Sequence, residues 1–412
     1  MRASRQSELP NQILLTGMFD MRNFGDLMFP LIARERLDGM DVVPVSPTGG
    51  DTGFVDALPS IPLTHMMAGR DAARGILIGG GYMIHGHKMH FLDAYAADGL
   101  RDYAGPGLWL GATLTAAIRD IPIVWNAPGV PHPFAGSQRP LVDAAIRAAS
   151  YCSVRDKGSL ELLGAPTEGD VHIVPDPVAE IMRLWPRNVL AAPFQNLIAR
   201  KGARGDVRYL ALHFRNRSLA KLSAAAAAAA IEDFSQAHGF VPILVAVGQT
   251  HDDDIVAREI ASHLTAAHIL LDDPVSLMEI ASVFGQSSLY IGASLHGYIA
   301  AAAYGVPAVL VAFPSYRKFQ GFLDHSGRSE DLAKDWPTAF AIAKARSNKP
   351  VPLPDRVLDA LDEHWQHIRH ALSNPAHRRD ERRAFLQQWL NRGVDVGGPA
   401  WPHLPYMQRG AE

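Results

Sequence analysis

Acid–base and anion-binding side chains recur in this chain where an apolar run gives way to small residues. Asn23-Phe24-Gly25-Asp26 comes soon after Ile13-Leu14-Leu15, Gly79-Gly80-Gly81 follows Ile76-Leu77-Ile78, and Arg155-Asp156 follows Ser153-Val154. Further along come Val174-Pro175-Asp176-Pro177, Leu212-His213-Phe214-Arg215, Ser294-Leu295-His296-Gly297 and the pair Arg317-Lys318. Histidine ordinarily titrates near neutrality, so His296 is the candidate acid–base group, with Asp26 or Asp176 as a second proton carrier. The planar fork of Arg155 suits a carboxylate or a phosphate, and Arg215, Arg317 and Lys318 add positive charge. Successive glycines let backbone amides approach a ligand, and helix starts near Asn23 and His296 aim free N–H groups the same way. Each feature also has a plain structural reading. Asn, Asp and Ser are ordinary helix caps, an Arg–Asp pair can close a turn, and a glycine run makes a tight corner.

What would bring them together is a sheet edge. Apolar runs at 13–15, 42–45, 75–78, 121–124, 151–154 and 171–174 lack polar alternation and are separated by helix-compatible stretches, as in a parallel sheet covered on both faces. The pattern repeats at 209–212, 241–247, 269–271, 289–291 and 308–312. The expected organisation is an N-terminal Rossmann-like domain over 1–184, an irregular linker over 185–207, a second Rossmann-like domain over 208–350 and a helical extension over 351–412. Ala224 to Ala230 reads as a helix capped by Ser223, and Leu358, Leu361, Trp365, Ile368 and Leu372 form one helical stripe. Two doubly wound α/β domains with a docking C-terminal helix describe a GT-B-like arrangement, which binds ligands at the carboxyl ends of its strands.

Composition narrows the function classes. The 412 residues are 48% hydrophobic and 20% charged, which excludes a disordered chain, and 39 Lys+Arg against 42 Asp+Glu give a net charge of -3. That balance lacks the basic surplus of a nucleic-acid binder, so any anion site is local. The single Cys152 lies in an apolar run and reads as a buried thiol. The first apolar run is too short for a signal-peptide core, and no stretch reaches the ~20 apolar residues of a membrane span. The expected location is the cytoplasm, with attachment to the inner face of a membrane left open. His85, His87 and His90 invite a metal reading, but His-Gly-His in a loop without an acidic partner matches no zinc spacing, and no metal is expected.

In order and spacing, Asn23-Phe24-Gly25-Asp26, Gly79-Gly80-Gly81, Ser153-Val154-Arg155-Asp156 with Ser159, Val174-Pro175-Asp176-Pro177, Leu295-His296-Gly297, Gly305-Val306-Pro307 and Lys318 resemble the polysaccharide pyruvyl transferase family. The resemblance implies a GT-B-like fold and transfer of pyruvate from phosphoenolpyruvate to a saccharide as a ketal, in surface or exopolysaccharide biosynthesis. It implies a saccharide or lipid-linked saccharide acceptor and no cofactor, and leaves the oligomeric state open. On this reading His296, Asp26 and Asp176 are the catalytic candidates. Asn23, Gly79, Gly80, Gly81, Arg155, Arg215, Ser294, Leu295, Arg317 and Lys318 are the binding candidates. One departure stands out. The family usually has Arg-Leu-His where this chain has Ser294-Leu295-His296. The lost guanidinium weakens the anion grip, is replaced by Arg215, Arg317 or Lys318, or marks a different substrate. A nucleotide-sugar glycosyltransferase of the same fold and a non-catalytic sugar-binding member are the alternatives.

Overall fold

The computed structural model describes residues 11–69, 72–89, 95–96, 99–164, 171–204, 206–220, 222–248, 252–314, 317–346 and 350–401. Strands β1 (Gln12–Thr16), β2 (Asp41–Ser46), β3 (Ile61–Pro62), β4 (Ala73–Ile78) and β5 (Ile123–Trp125) form a parallel sheet in the order β3-β2-β1-β4-β5. The pair β6 (Ser153–Val154) and β7 (His172–Ile173) continues it beyond β5, where the Trp125 amide donates to the Tyr151 carbonyl at 2.9 Å. Successive strand residues face opposite sides. Ile13 and Leu15 belong to one core and Leu14 to another, all fully buried, which is why the run carries no polar alternation.

The second sheet contains β8 (Arg208–His213), β9 (Phe240–Val245), β10 (Ile269–Leu271), β11 (Leu289–Gly292), β12 (Ala308–Val311) and β13 (Leu332–Ala333). Its order is β10-β9-β8-β11-β12-β13, again parallel. The halves share one apolar core that joins Leu15, Phe24 and Phe29 to Phe284, Tyr298 and Ile299. Polar contacts pin the same junction. The Phe24 amide donates to the Val247 carbonyl at 2.8 Å, and the Asp56 carboxylate accepts from the Leu277 and Met278 amides, each at 2.8 Å, at the start of the helix Leu277–Gln286.

Two expectations need revision. Within 185–207, Ala191–Arg200 is a helix rather than irregular chain, because Phe194, Leu197 and Ile198 fall on one face and are buried. In the tail, the helix Asp355–Ser373 buries Val357 with Leu361, Trp365, Ile368 and Leu372, whereas Leu358 is only half-buried. This helix and the next, Arg379–Gly397, return to the first half. Trp365 donates to Glu180 at 2.6 Å, Phe385 joins the core of Leu14, Ile76 and Trp125, and the buried Arg382 pairs with Asp120 at 2.9 Å. Ser223 caps the helix Ala224–His238 by accepting from the Ala226 amide, and Cys152 is buried. No helix among the described residues is long and apolar enough to cross a membrane.

Candidate functional site

Side chains that follow β1, β4, β6, β7, β11 and β12 converge at the carboxyl ends of the strands, where open α/β sheets hold ligands. His296 lies in the first turn of the helix Leu295–Ala303, whose start Ser294 caps by accepting from the Gly297 amide at 3.2 Å. Its ring reaches across to the first half. There it meets Phe29 edge-on at 5.8 Å and brings Nε2 to 3.4 Å from Asp176 Oδ2. Its other side is closed by Gly25: a Cβ on that residue would lie 1.6 Å from His296 Nδ1. Any side chain there would have to displace the imidazole.

Asp176 follows β7 and caps the turn Pro177–Glu180, its Oδ1 accepting from the Val178 amide at 3.1 Å. Burial pushes its carboxyl pKa up. His296 and Arg155, with the Val178 amide, outweigh that and hold it below the usual carboxylate value. Arg155 is 4% exposed, with Nη1 3.7 Å from Asp176 Oδ2 and Nε 3.5 Å from Asp156 Oδ2. Its guanidinium lies 4.3 Å from the centre of the Tyr82 ring, and its Nε and Nη2 make no hydrogen bond to any described residue. A buried cation with unused donors is costly unless an anion completes it.

Lys318, at the start of the helix Arg317–Ser326, places Nζ 5.2 Å from the same Tyr82 ring. Burial, followed by the positive charges of Arg215 and Arg155, pulls its pKa down to about 7 against the opposing effect of Asp26 and Asp176. Asp26 moves the other way. Burial raises its carboxyl pKa despite His296, Lys318 and Arg155 nearby. Gly81, at φ +87°, turns the chain beside it, and a Cβ there would approach Asp26 Oδ1 to 3.1 Å. The result is a cluster with two cations against one aromatic ring, a histidine–carboxylate pair and a second carboxylate of raised pKa.

The other candidates are placed differently. Asn23 caps the helix Phe24–Arg36 by accepting from the Gly25 amide at 3.2 Å and bridges to Gly248. The Gly79 amide already donates to the Thr16 carbonyl at 2.8 Å, and Gly80 packs on the Phe29 ring, so the glycine run serves close packing at those two positions. Leu295 is core, and Arg317 is exposed beside Gly158. Arg215 flanks the cluster, its Nε 3.7 Å from Asp253, which also meets His213 at 2.9 Å. Ser294 occupies its position as a cap, and the groups that oppose the burial of the Asp26 carboxylate are His296, Lys318 and Arg155. Tyr82 is the addition that sequence reading missed. Its signal was an aromatic directly after a glycine run at a strand end.

Apart from this cluster, His87 lies 4.6 Å from His132 and 6.1 Å from His85, ring to ring. Burial and these neighbours pull His85 down to about 4. No group of three or more His, Cys, Asp or Glu among the described residues is arranged to hold a metal, and His90 lies outside them.

No curated protein matches the chain. Among solved structures it is similar to the UDP-N-acetylglucosamine 2-epimerase of Rickettsia bellii, with a TM-score of 0.54 and 8% identity over 89% of this chain and 98% of that one. The UDP-GlcNAc 2-epimerase of Methanocaldococcus jannaschii gives 0.52 and 11%, covering 84% of this chain and 95% of that one. MnaA of S. aureus with UDP also gives 0.52 and 11%, covering 88% and 96%. These likenesses speak for the fold, which is GT-B-like. The polysaccharide pyruvyl transferase family model matches residues 23–314, more than half the chain and including every residue of the cluster but Lys318. The chain therefore belongs to the polysaccharide pyruvyl transferase family.

Proposed function

We propose that the cluster is an active site that transfers pyruvate from phosphoenolpyruvate to two hydroxyls of a saccharide, forming a cyclic ketal and releasing phosphate. One observation carries this reading: Arg155, buried on the Tyr82 ring with two unused donor nitrogens, stands beside His296, Asp176, Asp26 and Lys318. A compact trianion with a carboxylate and a phosphate suits Arg155 and Lys318. The enol carbon takes a proton and becomes a methyl group, leaving C2 electrophilic. One acceptor hydroxyl adds to C2, the C2–O bond to phosphate breaks, and a second hydroxyl closes the ketal. Of the two hydroxyl protons, one replaces the proton given to the methyl carbon and the other leaves on phosphate.

In this scheme His296 is the proton donor, and Asp176 orients its imidazole and stabilises its charged form. Asp26 is suited to receive the acceptor's proton, since a carboxyl of raised pKa is the stronger base. Asp176 is held ionised by its neighbours and fits the orienting role better. The acceptor is a free or lipid-linked saccharide of surface or exopolysaccharide assembly, modified in the cytoplasm or at the inner face of the membrane.

The test incubates the purified protein with phosphoenolpyruvate and galactose-, glucose- and mannose-type acceptors, reading phosphate release and the ketal methyl signal by NMR. His296→Ala is expected to lower turnover by about 10²- to 10⁴-fold with an unchanged circular dichroism spectrum. Phosphoenolpyruvate at a hundred times its dissociation constant should stabilise the fold by about 2.7 kcal/mol. Stabilisation by UDP-sugars with none from phosphoenolpyruvate, with or without acceptor, would instead favour glycosyl transfer.

A further inference from the structure

The end of the helix Arg139–Ala148, the chain around β6 and β7, the helix Asp355–Ser373 and the turn after it leave a cavity of about 250 Å³ between them. None of the cluster residues lines it. His172 forms one wall, and His367 and His370 of the helix Asp355–Ser373 form another. The turn that follows that helix adds His377 and Arg378. Tyr151 stacks on His367 at 5.3 Å and 12°, and His172 lies 5.5 Å from His367. Ser150 also lines the cavity, and its hydroxyl is buried with no hydrogen-bond partner among the described residues.

The charges around this space nearly cancel at high pH and do not at low pH. Glu363 lies 3.6 Å from His367, and Glu381 lies 3.1 Å from Arg378. With all four histidines neutral, one positive charge faces two negative ones. With all four protonated, five face two. Of the nearby groups, Arg379 and Arg382 share the single carboxylate of Asp120 and add one net positive charge at either pH, while His364, bonded to the Tyr151 hydroxyl, is held neutral by burial that pulls it down to about 3. Imidazolium N–H groups, a guanidinium and a hydroxyl are the donors an oxyanion needs.

We infer that this cavity is a binding site for a small oxyanion of the phosphate class, filled when its histidines take up protons. The volume admits a phosphate with several waters of about 30 Å³ each. Burial and His367 lower the pKa of His172 against the pull of Glu363, so this histidine takes up its proton at a lower pH than an ordinary imidazole. A lipid headgroup carries the same chemistry, but a recess of about 250 Å³ suits a free ion with its waters, and the free ion is the occupant proposed.

The test is calorimetric titration of inorganic phosphate into the full chain carrying Arg155→Gln, which weakens anion binding at the separate cluster. Binding is expected to be about tenfold tighter at pH 6.0 than at pH 8.0, with heats that vary with the buffer's ionisation enthalpy as protons are taken up. Adding His370→Gln and His377→Gln, both at exposed positions, should weaken binding at pH 6.0 by about tenfold without lowering the melting temperature. Absent binding, binding indifferent to pH, or binding unchanged by the two substitutions overturns the inference. So does sedimentation of the protein with phosphatidylglycerol vesicles at pH 6.0 that inorganic phosphate fails to reverse.

Discussion

Gly25 and His296 touch across the junction of the two halves: the Cβ that Gly25 lacks would lie 1.6 Å from the imidazole Nδ1. A residue in the first helix of one half thus sets where the histidine of the other half can rest. Gly25→Ala should move the ring off Asp176 and lower turnover by about 10²-fold or more, with the KM for donor little changed. Because Gly25 is helical, alanine also favours the backbone by about 1 kcal/mol, so a loss of activity would not be traceable to a weaker helix. Wild-type turnover in this variant would show that the imidazole's seat is not what positions it.

Tyr82 carries Arg155 and Lys318 on its ring. Tyr82→Phe keeps the aromatic face and should leave donor affinity unchanged. Tyr82→Leu removes it and should weaken donor binding by about 3- to 30-fold, corresponding to about 0.5–2 kcal/mol for partly buried cation–π contacts. Equal affinities in the two variants would remove the ring from donor binding.

Lys318 gives the pH profile a definite sign. Its pKa is drawn down to about 7, so it is charged below neutrality and loses its charge as pH rises through that value. The kcat/KM for an anionic donor, which reports the free enzyme, should therefore fall above pH 7. Lys318→Arg, which stays charged throughout, should abolish that alkaline fall even if its maximum is lower. A profile of unchanged shape would assign the fall to another group.

His364 predicts a stability slope. It is buried between the Tyr151 hydroxyl and the Asn126 side-chain oxygen Oδ1, each at 2.9 Å, and burial takes its pKa down to about 3 from an ordinary 6.5. The unfolded chain therefore binds the extra proton first. Stability from this group is complete above pH 6.5 and is lost as pH falls toward 3, by about 1.4 kcal/mol per unit. His364→Gln should remove that share of the slope in urea midpoints measured from pH 7 to pH 4. An unaltered slope would mean that His364 takes up its proton equally in both states.

The sheet framework was legible because a parallel strand covered on both faces is written as an unbroken apolar run, as in 13–15 and 289–291. The strands β3 and β13, two residues each, belong to no such run, unlike the equally short β6 and β7, whose buried neighbours Tyr151, Cys152, Val171 and Val174 extend the apolar stretch. The helix Ala191–Arg200 was obscured by Pro193, although Phe194, Leu197 and Ile198 already had helical spacing. Within the cluster, His296, Asp176, Arg155, Asp26 and Lys318 could be picked out as charged or titratable groups at strand ends. The parts played by Gly25 and Tyr82 could not, because each is defined by a partner distant in sequence. In the other direction, Asn23 and Ser294 show how a polar residue at a helix start is equally well explained as a cap.

The return of the C-terminal helices to the first half also dictates an order of events during synthesis. The outer core of the second half is complete once Ala343 has emerged, since it is built from residues between Leu210 and Ala343. That of the first half includes Phe385. At about 5–20 residues per second, the stretch from residue 184 to residue 397 takes roughly ten to forty seconds to translate. Throughout that interval the apolar faces of the helices Ala112–Arg119 and Arg139–Ala148 lack the helix that will cover them. The half made first is thus the half finished last, and in a chain stopped at residue 350 proteases should cut the first half while the second stands intact.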